Sequence, residues 1–78
     1  MQHLLSSASY LLHFMTSLRP FVQAGTRTIR VETDTYSLEG KAAIERISLD
    51  LKAGRLTRFR LFDSELGNRD VEVNYHGK

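Results

Sequence analysis

Residues 44–62 read IERISLDLKAGRLTRFRLF, and the period assigned to this stretch decides the fold. Ile47, Leu49 and Leu51 alternate with Ser48 and Asp50, while Thr57, Phe59 and Leu61 alternate with Arg58 and Arg60. Such alternation marks strands with one buried face. Lys52-Ala53-Gly54 stands between the two runs. A three-residue hairpin loop asks for a left-handed last residue, which glycine supplies without steric cost. The pattern predicts a hairpin pairing Leu51 with Arg55, Leu49 with Thr57, Ile47 with Phe59 and Glu45 with Leu61. A two-residue loop would set Leu49 opposite Arg58 and mix the faces. The same letters admit a rival. Ser37 caps a helix running to Ala53, with Gly40, Ala43, Ile44, Ile47 and Leu51 as its stripe and Gly54 as its left-handed terminator. Leu38 and Leu49 on the wet side, and Gly40 inside the first turns, weigh for the hairpin.

Upstream the chain changes character. Met1–Leu18 contains no Asp, Glu, Lys or Arg, so all 11 basic and 9 acidic side chains lie beyond it. At 100° per residue Leu4, Ala8, Leu11, Met15 and Leu18 form a central stripe, flanked by Leu5 and Leu12 on one side and Phe14 on the other. Ser6, Ser9, Tyr10, His13, Thr16 and Ser17 occupy the opposite face. This predicts one amphipathic helix over 1–18, ended by Pro20, which disfavours helix at the preceding residue. Its apolar sector covers about half the circumference, more than the roughly 100° a surface helix needs. Such a helix lies in a concave sheet or meets two partners.

Downstream of 44–62 and upstream to 26 the period is two. Ile29, Val31 and Thr33 alternate with Thr28, Arg30 and Glu32; Thr33-Asp34-Thr35 is a turn; Tyr36–Glu39 opens the next strand. A turn cluster at 63–68 leads into Val71, Val73 and Tyr75, which alternate with Asp70, Glu72 and Asn74. His76-Gly77-Lys78 is expected to fray. The expected fold class is α+β: one domain over 1–78, with an N-terminal amphipathic helix (1–18) packed on an antiparallel β-meander of about four strands (26–76).

A chain of 78 residues buries only about 60–65% of its unfolded surface, and with no cysteine it has no disulfide to supplement the core. Oligomerisation remains. The net charge of +2 is too small to announce nucleic-acid binding. The apolar run near the N-terminus has no basic residue before it and is broken by serines and His13, with Arg19-Pro20 where a cleavage region should be neutral. It reads as neither a secretion signal nor a membrane span, and cytoplasmic location follows as the default.

Catalytic signatures are absent. The five glycines never cluster into a phosphate loop, and there is no HExxH or GxSxG. His3 and His13 stand nearly three helical turns apart and cannot share a metal. Asp63 with Glu65, and Asp70 with Glu72, are carboxylate pairs at a turn and on a wet strand face, where solvation is their ordinary role. No cofactor and no metal are expected. The stretch Ile47–Val73, with its glycine-turn hairpin, the pattern Leu-x-Arg-Phe-x-Leu-x-Asp and Gly67-Asn68-Arg69, resembles the repeated strand–turn units of periplasmic lipoprotein-carrier proteins. Those carriers are much larger half-barrels, and no residue is carried across.

The expected function is a small non-enzymatic interaction module, adaptor-like or inhibitor-like, acting as a homodimer or on another protein. Leu5, Tyr10, Leu12 and Phe14, at the margins of the helix, are its candidate contact residues. A nucleic-acid-binding domain is the alternative: Arg46, Arg58 and Arg60 share the hairpin's polar face, with Arg30 beside them and Phe62 and Ile44 at its far end. An apolar-ligand carrier is the third reading. It requires a cavity between helix and sheet.

Overall fold

The computed structural model describes residues 2–76, with side chains described from Leu4 onward. Met1, assigned above to the first helix, and Gly77 and Lys78 of the tail lie outside the described residues. In chain order the elements are β1 (Gln2–Ser7), α1 (Ala8–Ser17), α2 (Arg19–Gln23), β2 (Ile29–Glu32), β3 (Ser37–Glu39), α3 (Gly40–Lys52), β4 (Arg58–Asp63) and β5 (Gly67–Asn74). The strands form one sheet in the order β1-β5-β4-β2-β3. Every pairing is antiparallel except β1 with β5. The fold is α+β, with helices packed on the sheet, as the sequence led us to expect.

Two expectations fail in detail. The single helix over 1–18 is a strand followed by a helix. Ser7 is the reason for the boundary: its extended backbone (φ −68°, ψ 148°) ends β1, and its hydroxyl accepts the Tyr10 amide at 3.1 Å. A serine in that role satisfies one of the donors a helix start leaves unpaired. Upstream, Leu4 and Leu5 instead gain parallel ladder partners, Val71 and Glu72. α1 stops at Ser17, close to the expected end at Leu18, but Arg19, which Pro20 was expected to hold out of helix, is itself the first residue of α2. The chain then re-enters helix at once, with Pro20 in the first turn of α2, where its missing N–H costs nothing.

The second failure is the hairpin around Gly54. Residues 40–52 are helical, so the rival reading holds, although the cap position falls to Glu39 rather than Ser37. Gly54 is left-handed (φ 70°) as both readings required. Its amide donates to Leu51 O at 3.2 Å and the Arg55 amide donates to Asp50 O at 3.0 Å, the paired bonds of a Schellman helix end. Ala43, Ile44, Ile47, Ser48 and Leu51 are buried along one stripe. The helix leaves Leu49 59% exposed, a single misplaced leucine outweighed by the stripe. With a helix at 40–52 the likeness to lipoprotein-carrier strand units disappears. The sheet gains β1 and is a five-stranded, mostly antiparallel sheet rather than a four-stranded meander.

The core lies between the helices and one sheet face. Met15 and Leu18 from the first helical segment, Ile44 and Ile47 from α3 and Val31 from β2 are its largest fully buried side chains. Beside them stand the cross-strand pairs Val31–Leu61 and Phe59–Val71. Side chains of this size contribute about 1.5–3 kcal/mol each when fully buried. The broad apolar sector of α1 thus meets both the sheet and α3.

The β4–β5 turn is pinned from within. The Asp63 side chain has no solvent exposure and accepts Nε of Arg27 at 2.9 Å and Nη2 at 2.6 Å. It also accepts the Glu65 amide at 2.9 Å. Ser64 closes the same junction, its amide donating to Thr28 O and its hydroxyl accepting the Thr28 amide, both at 3.0 Å.

Candidate interaction surface: the β1 edge and helix α1

β1 is an outer strand. One side pairs with β5, and among the described residues no strand pairs with the other. Alternation divides its side chains between the faces. Leu4 stands beside Val71 on the helix-covered face, and Leu5 stands beside Glu72 on the open face. Leu4 is 40% and Leu5 65% exposed. The apolar surface continues onto α1, where Tyr10 is exposed and stacks on half-buried Phe14 with ring centroids 6.4 Å apart.

The four residues expected at the helix margin therefore separate. Tyr10 and Phe14 lie on the β1 side of α1. Leu12 does not join them: with Ala8 it faces Leu51 and Tyr75, half-buried against the core. Leu5 is not on the helix at all. It belongs to the strand and flanks the edge from the open face. Leu4 and Leu66, absent from the sequence-based set, complete the patch and line a narrow slot of about 70 Å³ with Phe14, Phe59, Leu61 and Val71. That slot is well below the roughly 300 Å³ of an ordinary ligand pocket, whereas a more open depression of about 340 Å³ lies beside Ala8, Leu12, Leu51 and Tyr75. A depression of about 610 Å³ lies beside Asp34, Arg55 and Arg58, and it is open and mostly polar.

The arginines also separate. Arg58 and Arg60 do share the open face of the sheet, with Arg30 and Phe62, by strand alternation and register. Arg46 is on α3, in the helical layer. Its guanidinium lies 4.2 Å over the Tyr36 ring, and its Nε is 3.5 Å from Asp50 Oδ2. Ile44 is fully buried and closes no polar face. Most of the open-face arginines are tied to acids. Arg60 reaches Asp70 at 3.3 Å, Arg30 pairs with Glu32 and caps the Phe62 ring at 3.9 Å, and Arg58 stands in register with Glu72. Like charge does not accumulate there.

Two partly buried polar centres are structural ties. Tyr36 donates its hydroxyl to Asp50 Oδ2 at 2.7 Å, with Arg55 3.5 Å from Oδ1, which joins β3 to the end of α3. Burial first, and then the Asp50 hydrogen bond and charge, push the Tyr36 phenol well above its ordinary range. Tyr75 donates to Leu56 O at 2.6 Å and accepts the Leu56 amide at 3.1 Å. Burial raises its phenol too. Among the described residues no group of three His, Asp or Glu side chains converges to hold a metal, and no helix is long and apolar enough to cross a membrane. No protein-family model, curated protein or solved structure matches this chain.

Proposed function

We propose that the protein is a non-enzymatic interaction module that docks through its β1 edge and the adjoining face of α1, with a second copy of itself as its first partner. One observation carries this reading: β1 is a six-residue edge strand with no Asp, Glu, Lys, Arg or proline, carrying exposed Leu4 and Leu5 and followed by exposed Tyr10. Soluble proteins ordinarily blunt such an edge with lysine, proline or brevity, because its free N–H and C=O groups template further pairing. An uncharged edge also suits a two-fold partnership, in which each group meets its own equivalent and a charge would meet its like. Antiparallel pairing of two β1 strands about a two-fold axis normal to the sheet brings the two α1 helices together on one side. Tyr10 and Phe14 then face the partner's helix. The sequence reading favours the cytoplasm as its setting.

Sedimentation equilibrium over about a hundredfold range of concentration tests the reading. A mass rising from 8.9 kDa toward twice that value is the expected result. A constant 8.9 kDa at every concentration removes the homodimer.

A further inference from the structure

The slot beside β1 is not uniformly apolar. Arg69 forms part of its wall, together with Leu4, Phe14, Leu61, Leu66 and Val71, and no acidic residue lines it. Nη1 of Arg69 donates to the carbonyl of Asn68 at 3.0 Å, and no carboxylate pairs with this guanidinium among the described residues. Arg27, Arg30, Arg46, Arg55 and Arg60 all have such a partner. A half-exposed cation therefore sits at a pocket of about 70 Å³, roughly half the ~150 Å³ cavity that takes a benzene ring. The pocket suits one branched aliphatic side chain, and the cation wants an anion a few ångströms from it.

These two demands favour one kind of occupant. In an extended peptide neighbouring side chains point to opposite faces, and residues two apart are separated by about 7 Å. An internal acid next to a leucine points to the face opposite the slot. A C-terminal Val, Leu or Ile carries the aliphatic group and the carboxylate on the same Cα. The edge of β1 supplies the third element, a row of backbone donors and acceptors for the residues that precede the terminus. Arg69 stands in register with Gln2, at the start of β1. A terminus held there sends the rest of its peptide toward Ser7, antiparallel to β1.

We infer that the β1 edge and the slot together bind the C-terminus of a partner protein: an extended segment added to β1, its last aliphatic side chain in the slot and its carboxylate on Arg69. This rests on the reading of β1 as the docking edge and names a second occupant for it, so peptide and second copy compete.

The probe is a fluorescein-labelled hexapeptide, Ser-Thr-Ser-Thr-Ser-Leu, used with a free C-terminal carboxylate, as its amide, and with glycine in place of the leucine. Fluorescence-detected sedimentation reports both binding and the mass of the species that carries the peptide. The free acid should bind saturably below about 1 mM, on the 8.9 kDa species, with the amide and the glycine peptide each at least about tenfold weaker. Arg69→Gln should bring acid and amide to the same affinity. Equal binding of acid and amide by the unaltered protein, or no binding of the free acid, overturns the inference, and neither result depends on a variant that folds. A protein that stays monomeric without peptide yet binds the free acid selectively removes the dimer and leaves the terminus site standing.

Discussion

The two edges of the sheet are built differently. β3 is three residues long, and it carries Glu39 at the point where the chain turns into α3. Gly40, at φ +64°, makes that turn, and the helix carries the chain away from the edge at once. β1 runs for six residues, bears no charge, and shows Leu5 at 65% exposure. Brevity and charge are the ordinary protections against edge-to-edge association. One edge has both and the other has neither. The contrast supports the proposal that the open edge is the docking one, since the same chain blunts its counterpart.

The largest effect expected from this contrast belongs to a single lysine. Leu5→Lys places a charge beside the open edge and removes an apolar contact worth about 1.5–3 kcal/mol in each copy, counted twice across a two-fold. The proposed dimer should weaken by a factor on the order of 100 or more, read by sedimentation equilibrium, while circular dichroism stays that of the folded protein. Phe14→Glu should act in the same direction. Ser37→Lys on β3 is the matched control and should leave the mass unchanged, as should Ser9→Glu on the exposed side of α1. If Ser37→Lys dissociates the dimer as readily as Leu5→Lys, the two edges are equivalent and the comparison breaks.

Between the edges lies a centre that should fail as a unit. Asp63→Ala leaves Arg27 and the Glu65 amide without their buried acceptor, a loss of about 3 kcal/mol by the rule for breaking a buried pair. Urea unfolding should show it as a shift in midpoint with both edges lost together. The pH dependence follows from the same carboxylate. Burial pulls the Asp63 carboxyl upward, but Arg27 and the backbone amides of Glu65 and Leu66 outweigh it, and the net position is below the ordinary value of 3.8. A carboxylate depressed on folding contributes stability that is complete above its unfolded pKa and is lost as pH falls through the folded one. Wild-type stability should therefore drop below about pH 4, and the Asp63→Ala protein should show a shallower drop. Equal slopes in the two proteins would place the acid sensitivity elsewhere.

A smaller effect probes the helix that follows β3. A side chain added at Gly54 would meet nothing within 4 Å, so the cost of Gly54→Val is backbone strain at φ +70° alone. That should be about 1–2 kcal/mol in urea unfolding, with Gly54→Asn milder because asparagine tolerates this conformation. A neutral Gly54→Val would mean that the helix end is not held in the left-handed form.

Gly54 also shows what the sequence could and could not say. Its conformation was legible, but two structures use it, a hairpin loop and a helix terminator. Alternation favoured the first because Leu49 fits a strand and wastes itself on a helix. The deciding facts were tertiary and local together: Asp50 stays in the buried layer because Tyr36 reaches it from outside the helix and Arg55 from just beyond the helix end. Lys41–Glu45 and Arg46–Asp50 are four apart on α3, weak helix signals that alternation overshadowed. At the N-terminus the period of 3.6 held from Ala8 onward, and Ser7 was the boundary signal passed over. The strands at 29–32, 58–63 and 67–74 were readable because each is buried on one face only.

The candidate surface was half legible for a reason that needs correcting. Tyr10 and Phe14 were named as the margin of an overly broad helix, whereas α3 takes up much of that breadth and Leu12 with it. What exposes them is the edge beside them. Leu4, Leu66 and Arg69 meet only because β5 aligns with β1 across most of the chain, a long-range parallel pairing that no local pattern announces.

The smallest effect is expected on the open face between the two edges. Arg58→Ala with Arg60→Ala removes two of the cations that a nucleic-acid reading would require there. On the wild-type face Arg60 already engages Asp70, and Arg30 engages Glu32 and Phe62. Phosphates would have to displace carboxylates to bind. Exposed pairs of this kind contribute about 0–1 kcal/mol to stability, so the double substitution should scarcely move the urea midpoint. Each phosphate contact releases counterions and steepens the salt dependence of binding. A nucleic-acid site would therefore shift single- or double-stranded probes at about 50 mM salt and lose that shift in the variant. We expect neither protein to shift a probe. A wild-type shift that disappears with the two arginines would move the working surface from the β1 edge to the open face.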